Sequence, residues 1–249
     1  MPLLNATGLT KRFGGFVAVD DVDLAVESGE VQSVIGPNGA GKTTLFNLLT
    51  GTYNVTAGDI VFDGEDITNV PEHERPYRGI SRGYQITNTY ETLSVFENLQ
   101  TAVALFHENY YDMVRPLSGR TEVTERVEAL LDELDLSDRQ EVEASALSHG
   151  NRRRLEIGMA LAAEPRLLLL DEPTAGMDAS ETERTVSLIE TLTDEMAVLL
   201  VEHDIEYVMA VSDSITVLER GAVIAEGPPS AIRQDERVQE AYLGGRADA

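Results

Sequence analysis

The chain contains no cysteine, which excludes disulfides, thiolate nucleophiles and cysteine-ligated metals. It has only two lysines, Lys11 and Lys42, so arginine carries nearly all of its positive charge. No continuous apolar run reaches the roughly 18 residues of a membrane helix. The opening segment, MPLLNATGLTKRF, lacks a charged stretch followed by an apolar core. A soluble protein of the cytoplasm is expected on these grounds, serving a membrane only through a protein partner.

Acidic residues number 44 against 19 basic, a formal net charge of -25, while a hydrophobic content of 42% argues for a folded chain. Such a surface repels DNA, RNA and anionic headgroups, so no general nucleic-acid role is expected. Acid excess with scarce lysine fits a very salty cytoplasm, where screening makes the self-repulsion tolerable; an ordinary acidic protein is the alternative. At 249 residues the length suits one large domain with a subdomain.

One lysine stands where an anion would need it. Gly36, Pro37, Asn38, Gly39, Ala40, Gly41, Lys42, Thr43 and Thr44 fit GxxxxGK(S/T). In that pattern glycines let backbone N–H groups converge on phosphate oxygens at a helix N-terminus. The apolar stretch 31–35 reads as a buried strand before it, and Leu45, Phe46, Leu48 and Leu49 give a helix face after it. Strand, loop and helix in that order point to a nucleoside triphosphate site, with Lys42 reaching the β- and γ-phosphates and Thr43 holding Mg²⁺.

Strands are expected over residues 3–9, 17–26, 31–35 and 59–62, the last ending at the Asp63-Gly64 turn. A helical pattern follows over about 93–163, with Val123, Val127, Leu130, Leu131 and Leu134 on one face and a loop at 109–119. Apolar runs at 167–170, 197–201, 215–218 and 222–225 then alternate with polar helical segments, which favours a mainly parallel sheet. Arg220-Gly221 should turn a final hairpin, and Val238, Ala241, Tyr242 and Leu243 mark a short terminal helix.

The run 167–170 ends in Asp171 and Glu172, placing two acids at a sheet edge beside the phosphate loop. There Asp171 would bind Mg²⁺ through water, and Glu172 would orient and deprotonate the attacking water. Leu147-Ser148-His149-Gly150-Asn151 opens a helix in which Ser148 is a good N-cap and, with Gly150, a potential anion contact. Arg152, Arg153 and Arg154 read as a solvated helix face, with pairing to acids at a subunit interface as the alternative. His73, His107 and His149 show no zinc-ligand spacing.

Taken in order, these segments resemble an ATP-binding-cassette (ABC) ATPase, residues 147–151 being similar to its LSGGQ signature. The resemblance covers nearly the whole chain. It implies a RecA-like P-loop α/β core at 1–85 and 164–249, with an N-terminal antiparallel β subdomain and an inserted α-helical subdomain at 86–163. By the same resemblance Gln85 links Mg²⁺ and the attacking water to the helical part, and His203 contacts the γ-phosphate. Phe13 stacks on adenine, and Asp178, in Ala175-Gly176-Met177-Asp178, touches the opposite subunit. Ser148, His149, Gly150 and Asn151 would serve the ATP of that opposite subunit. His149 and Asn151 replace the usual glycine and glutamine.

Arg12-Phe13-Gly14-Gly15, the stretch 93–99, Arg153-Arg154-Leu155-Glu156-Ile157 and Ala241-Tyr242-Leu243-Gly244 are similar to importer ATPases of the branched-chain amino acid type. The long connection 107–121 resembles the larger of their two ATPase subunits. The resemblance implies a second, non-identical cassette or a homodimer as partner, two permease subunits, and an external solute-binding protein. It places the chain at the cytoplasmic face of the membrane, with 85–105 receiving a permease helix. A soluble ABC ATPase of the iron–sulfur-assembly type, or an importer of amides or urea, is the alternative.

The charge reading yields a first test. Thermal unfolding should move to higher temperature between about 0.1 M and 1 M potassium chloride, as the screening length falls from ~10 Å to ~3 Å. Full folding and activity in dilute buffer would overturn the salt adaptation.

Overall fold

Alternating apolar and polar residues at the start of the chain fold as a hairpin. β1 (Leu4–Phe13) and β2 (Phe16–Val26) pair antiparallel, burying Leu4, Ala6, Val22 and Leu24 and turning Asp20 and Asp23 outward. The computed structural model describes residues 1–83, 89–107, 121–193 and 195–244. β1 runs past the expected residue 9 because register shifts bend its polar second half while it stays paired with β2. β4 (Ala57–Phe62) and β5 (Glu65–Asp66) complete a four-stranded sheet of order β2-β1-β4-β5. Asp63 and Gly64, at φ 50° and 80°, make the tight turn between them.

The second sheet has the order β10-β9-β3-β8-β7-β6. Its strands are β3 (Val31–Ile35), β6 (Ile80–Gly83), β7 (Leu167–Asp171), β8 (Ala197–Val201), β9 (Ser214–Glu219) and β10 (Ala222–Gly227). Neighbours from β9 to β6 are parallel, and β10 closes the edge antiparallel after the Arg220-Gly221 turn. The sheet is therefore the mainly parallel one expected. Edge strand β6 was not anticipated, since Ile-Ser-Arg-Gly carries too little apolar pattern to read as a strand.

The helices are α1 (Lys42–Leu49), α2 (Val95–His107), α3 (Thr121–Glu133), α4 (His149–Leu161), α5 (Ala179–Thr193), α6 (Ile205–Val211), α7 (Pro229–Ile232) and α8 (Glu236–Gly244). The loop expected at 109–119 lies outside the described residues. Strand side chains alternate between two cores: Leu168, Leu170, Val198 and Leu200 face α2 to α5, while Leu167, Leu169, Leu199 and Val201 face α1 and the antiparallel sheet. All of these are buried, as continuous apolar runs in a two-faced sheet require.

The start of α2 has a physical cause in its sequence. Ser94 Oγ accepts from the Glu97 amide at 3.1 Å and Glu97 Oε2 accepts from the Ser94 amide at 2.8 Å, a reciprocal capping box. Buried Asn98 binds the backbone of Tyr90, Leu93 and Ser94, fixing the approach to the helix. Arg153 and Arg154 contradict the expected solvated face, for both are buried. Arg154 donates to the carbonyl of Leu134 and to Asp135, tying α4 to the end of α3 within one chain. Their apolar neighbours in the helix, Leu155 and Ile157, carry both stems inward.

Arg75 is the largest of the fully buried side chains and is spent on carbonyls. Its guanidinium donates to Leu49, Ile67 and Val70, joining the end of α1 to the turns after β5, and burial lowers its pKa to about 10. Arg75→Met should cost about 3 kcal/mol in urea unfolding at unchanged m-value, because the carbonyls lose their donors.

Candidate nucleotide site

The phosphate loop leaves β3 and enters α1 under tight steric control. A Cβ on Gly36 would stand 2.2 Å from the Leu218 carbonyl oxygen, so only glycine lets the loop cross β9. The turn between β9 and β10 braces it, the Gly221 amide donating to the Ala40 carbonyl at 2.8 Å. Lys42 is buried and its Nζ donates to the carbonyls of Gly36, at 2.7 Å, and Pro37. Burial lowers its pKa, while Glu172 and Asp171 oppose that shift. Asn38, Gly39 and Thr43 are exposed and Thr44 is half-buried, while the Ala40 amide donates to the Pro37 carbonyl within the loop.

β3, β8 and β7 are neighbours, and their C-terminal ends bring the remaining groups to this loop. Asp171, 1% exposed, ends β7 with Oδ2 accepting no hydrogen bond, and its burial raises its pKa. Glu172 follows in the left-handed region at φ 46°, held by its amide's bond to the Val201 carbonyl. A non-glycine residue in that region is uncommon, and Glu172 Oε1 stands 3.6 Å from His203 Nδ1. Glu202, wholly buried, accepts from the amide and hydroxyl of Thr174 and from the His203 amide. It thus couples the ends of β7 and β8.

A magnesium ion fits the donor set: Asp171 Oδ2 is buried and accepts no hydrogen bond, and Thr43, at the start of α1, is exposed. Among the described residues no group of three or more histidine, aspartate or glutamate side chains could hold a metal. The ion would accordingly share its ligands with phosphate and water. Gln85, the third expected metal contact, lies outside the described residues.

Phe13, at the tip of the β1–β2 hairpin, is 44% exposed. Tyr53 packs edge-on against it with ring centroids 5.4 Å apart, and Lys11 stands 5.1 Å from its ring while donating to the Asn54 carbonyl.

The residues around Ser148 and Asp178 form a second cluster. Ser148 caps α4 by accepting from the Asn151 amide, and His149 Nε2 is 2.9 Å from the Ala175 carbonyl oxygen. Asn151 is buried and accepts from Arg154. Glu181 Oε1 accepts from the Ser148 hydroxyl at 3.0 Å and the Gly150 amide at 3.3 Å, while Asp178 accepts from the Glu181 amide. Glu181 was not among the expected site residues, although its place three residues after Asp178 is a helix-start signal. Arg82, Glu202 and Tyr53 carry no local sequence signal, because their partners lie in distant segments: Asn47 and Asp171 for Arg82, Thr174 for Glu202 and the Phe13 ring for Tyr53.

Between β6, α2 and α4 lies a groove with Arg82, Tyr90, Leu105, Phe106 and Glu156 on its walls. Tyr77, Tyr90 and Leu105 are exposed around it. No helix of the described residues is long and apolar enough to cross a membrane.

A phosphate loop after β3 and an acidic pair at the end of β7, with β8 between the two strands, define a P-loop nucleotide-binding cassette. Residues 19–175 match the ABC transporter family model, and residues 222–248 match that of the branched-chain amino acid ATP-binding cassette transporter. The chain is 41% identical to BraF of Pseudomonas aeruginosa and 37% identical to LivG of Escherichia coli K12, over 98% of each chain; both are high-affinity branched-chain amino acid transport ATP-binding proteins. It overlays the ADP conformation of MJ1267, an ATP-binding cassette of an ABC transporter, with TM-score 0.88 at 31% identity, covering 98% of this chain and 99% of that one. The chain belongs to the ABC transporter family of ATP-binding subunits.

Gly36→Ala should weaken nucleotide binding, since the added methyl meets the Leu218 backbone carbonyl. Calorimetric titration with ADP should show affinity weakened by at least about tenfold, equivalent to ~1.4 kcal/mol.

Proposed function

We propose that this chain is the ATP-hydrolysing subunit of an importer, energising uptake of branched-chain amino acids at the cytoplasmic face of a membrane. The match of residues 222–248 to the branched-chain cassette model is the observation that carries this reading beyond the general family. In it, Lys42 and the loop amides hold the phosphates, Phe13 carries adenine, and Thr43, Gln85 and Asp171 hold Mg²⁺. That ion would neutralise charge developing on the phosphates. Glu172 orients and deprotonates water, and His203, 3.6 Å from it, meets the γ-phosphate.

The assembly comprises this chain, a second cassette, two permease subunits and an external binding protein. The groove with exposed Tyr90 and Leu105 receives the permease, which supports a peripheral location without a membrane helix. Ser148 and Gly150 serve the ATP held by the opposite cassette. Glu181 accepts from both in the single chain, so closure of the pair requires its carboxylate to withdraw.

Two measurements test the reading. Glu172→Gln should lower hydrolysis by about 10³-fold while ATP still binds; full turnover in the assembled complex would refute the assigned base. Pull-down from native membranes should recover permease subunits, and recovery of soluble assembly proteins instead would favour the iron–sulfur-assembly type.

A further inference from the structure

We infer that Arg82 and Arg153 are positioning residues that mechanically link the groove to Asp171, so that an occupant of the groove sets where that carboxylate stands. The inference rests on the proposed docking of a permease there. Two separate arms run between the places. In the first, Arg82 lies on the groove wall with its guanidinium 4.7 Å from the Phe46 ring centroid and Nη1 donating to Asn47 Oδ1 at 2.9 Å, both on the phosphate-loop helix α1. Its Nη2 is 3.7 Å from Asp171 Oδ2.

In the second arm, Glu156 lies on the same wall and pairs with Arg153, Oε2 to Nη1 at 3.0 Å. Arg153 Nη2 donates to the backbone carbonyl of Asp171. The side chains of Arg153 and Glu156 are 8% and 9% exposed, so their charges act in a medium that screens poorly. One arm addresses the carboxylate and the other the backbone of one residue. An occupant that shifts Arg82 or Glu156 therefore moves Asp171 against the phosphate loop. Arg82 also reports on α1, because its planar group is held between that helix and the acid.

The chain contains no tryptophan, so Leu105→Trp on the exposed rim of the groove gives a lone fluorescent reporter in the full chain. Its emission should shift as Mg·ADP is titrated. Adding Arg82→Gln, or separately Glu156→Gln, should shrink that shift about fivefold, the scale of an ordinary coupling energy, while calorimetry shows ADP still bound. Arg82→Lys, which keeps the charge near Asp171, should recover part of it. An undiminished shift in both variants overturns the link. Failure of the docking reading looks different: permeases then do not stimulate hydrolysis even by the unsubstituted chain. If the link alone is wrong, stimulation persists in both variants.

Discussion

Everything at this site depends on the burial of one carboxylate. Asp171 ends a strand whose every residue is buried, between β6 and β8, so its side chain enters the site from the interior rather than from a loop. An isolated anion in such a place is costly, and the surroundings answer with cations brought from other elements: Arg82 from β6, Arg153 from α4 and Lys42 from α1. The carboxylate's Oδ2 accepts no hydrogen bond, and the nearest of these cations, Arg82, stands 3.7 Å from it. The strained backbone at Glu172 follows from the same fixed strand end, since the chain must turn sharply to leave the sheet while presenting a second acid.

The charge distribution makes sense on this frame. A net charge of -25 opposes the approach of a triphosphate, so attraction has to be local. Lys42 lies in the phosphate loop, and Lys11 stands beside the Phe13–Tyr53 pair. Several arginines are spent inside, on carbonyls and single acids: Arg75 on three carbonyls, Arg153 on Asp171 and Glu156, Arg154 on Leu134 and Asp135. Arginine suits that work because its planar fork satisfies several acceptors at once and stays charged when buried.

That division explains what the sequence could and could not reveal. Runs such as Leu-Leu-Leu-Leu-Asp declare a buried strand ending in an acid, because periodicity and a β-rich neighbourhood leave little else. The hairpin turns at Asp63-Gly64 and Arg220-Gly221 were equally legible, since few residue pairs adopt two positive φ values. The phosphate loop could be read because its glycines answer to local backbone geometry. Arg153 could not: a charged run on a helix is usually solvated, and only the packing of α4 against β7 turns it inward. Arg82 stayed hidden for a related reason, as its strand has almost no apolar pattern and its partners lie in three other segments.

The contact between Ser148, Gly150 and Glu181 carries the same logic to the second cluster. A helix start with a free hydroxyl and an accessible amide attracts an anion, and in the single chain the nearest anion is an acid three residues beyond Asp178. A Cβ on Gly150 would meet that carboxyl group at 2.7 Å, so the glycine admits the acid as well as a phosphate. His149 Nε2 lies 2.9 Å from the Ala175 carbonyl oxygen, so the start of α4 also contacts the segment that follows Glu172. On the proposed mechanism, a phosphate from another subunit competes with an internal carboxylate for the same donors. Because the Glu181 amide donates to Asp178 at one helix start, that mechanism ties departure of the carboxylate to a rearrangement of the segment 175–178.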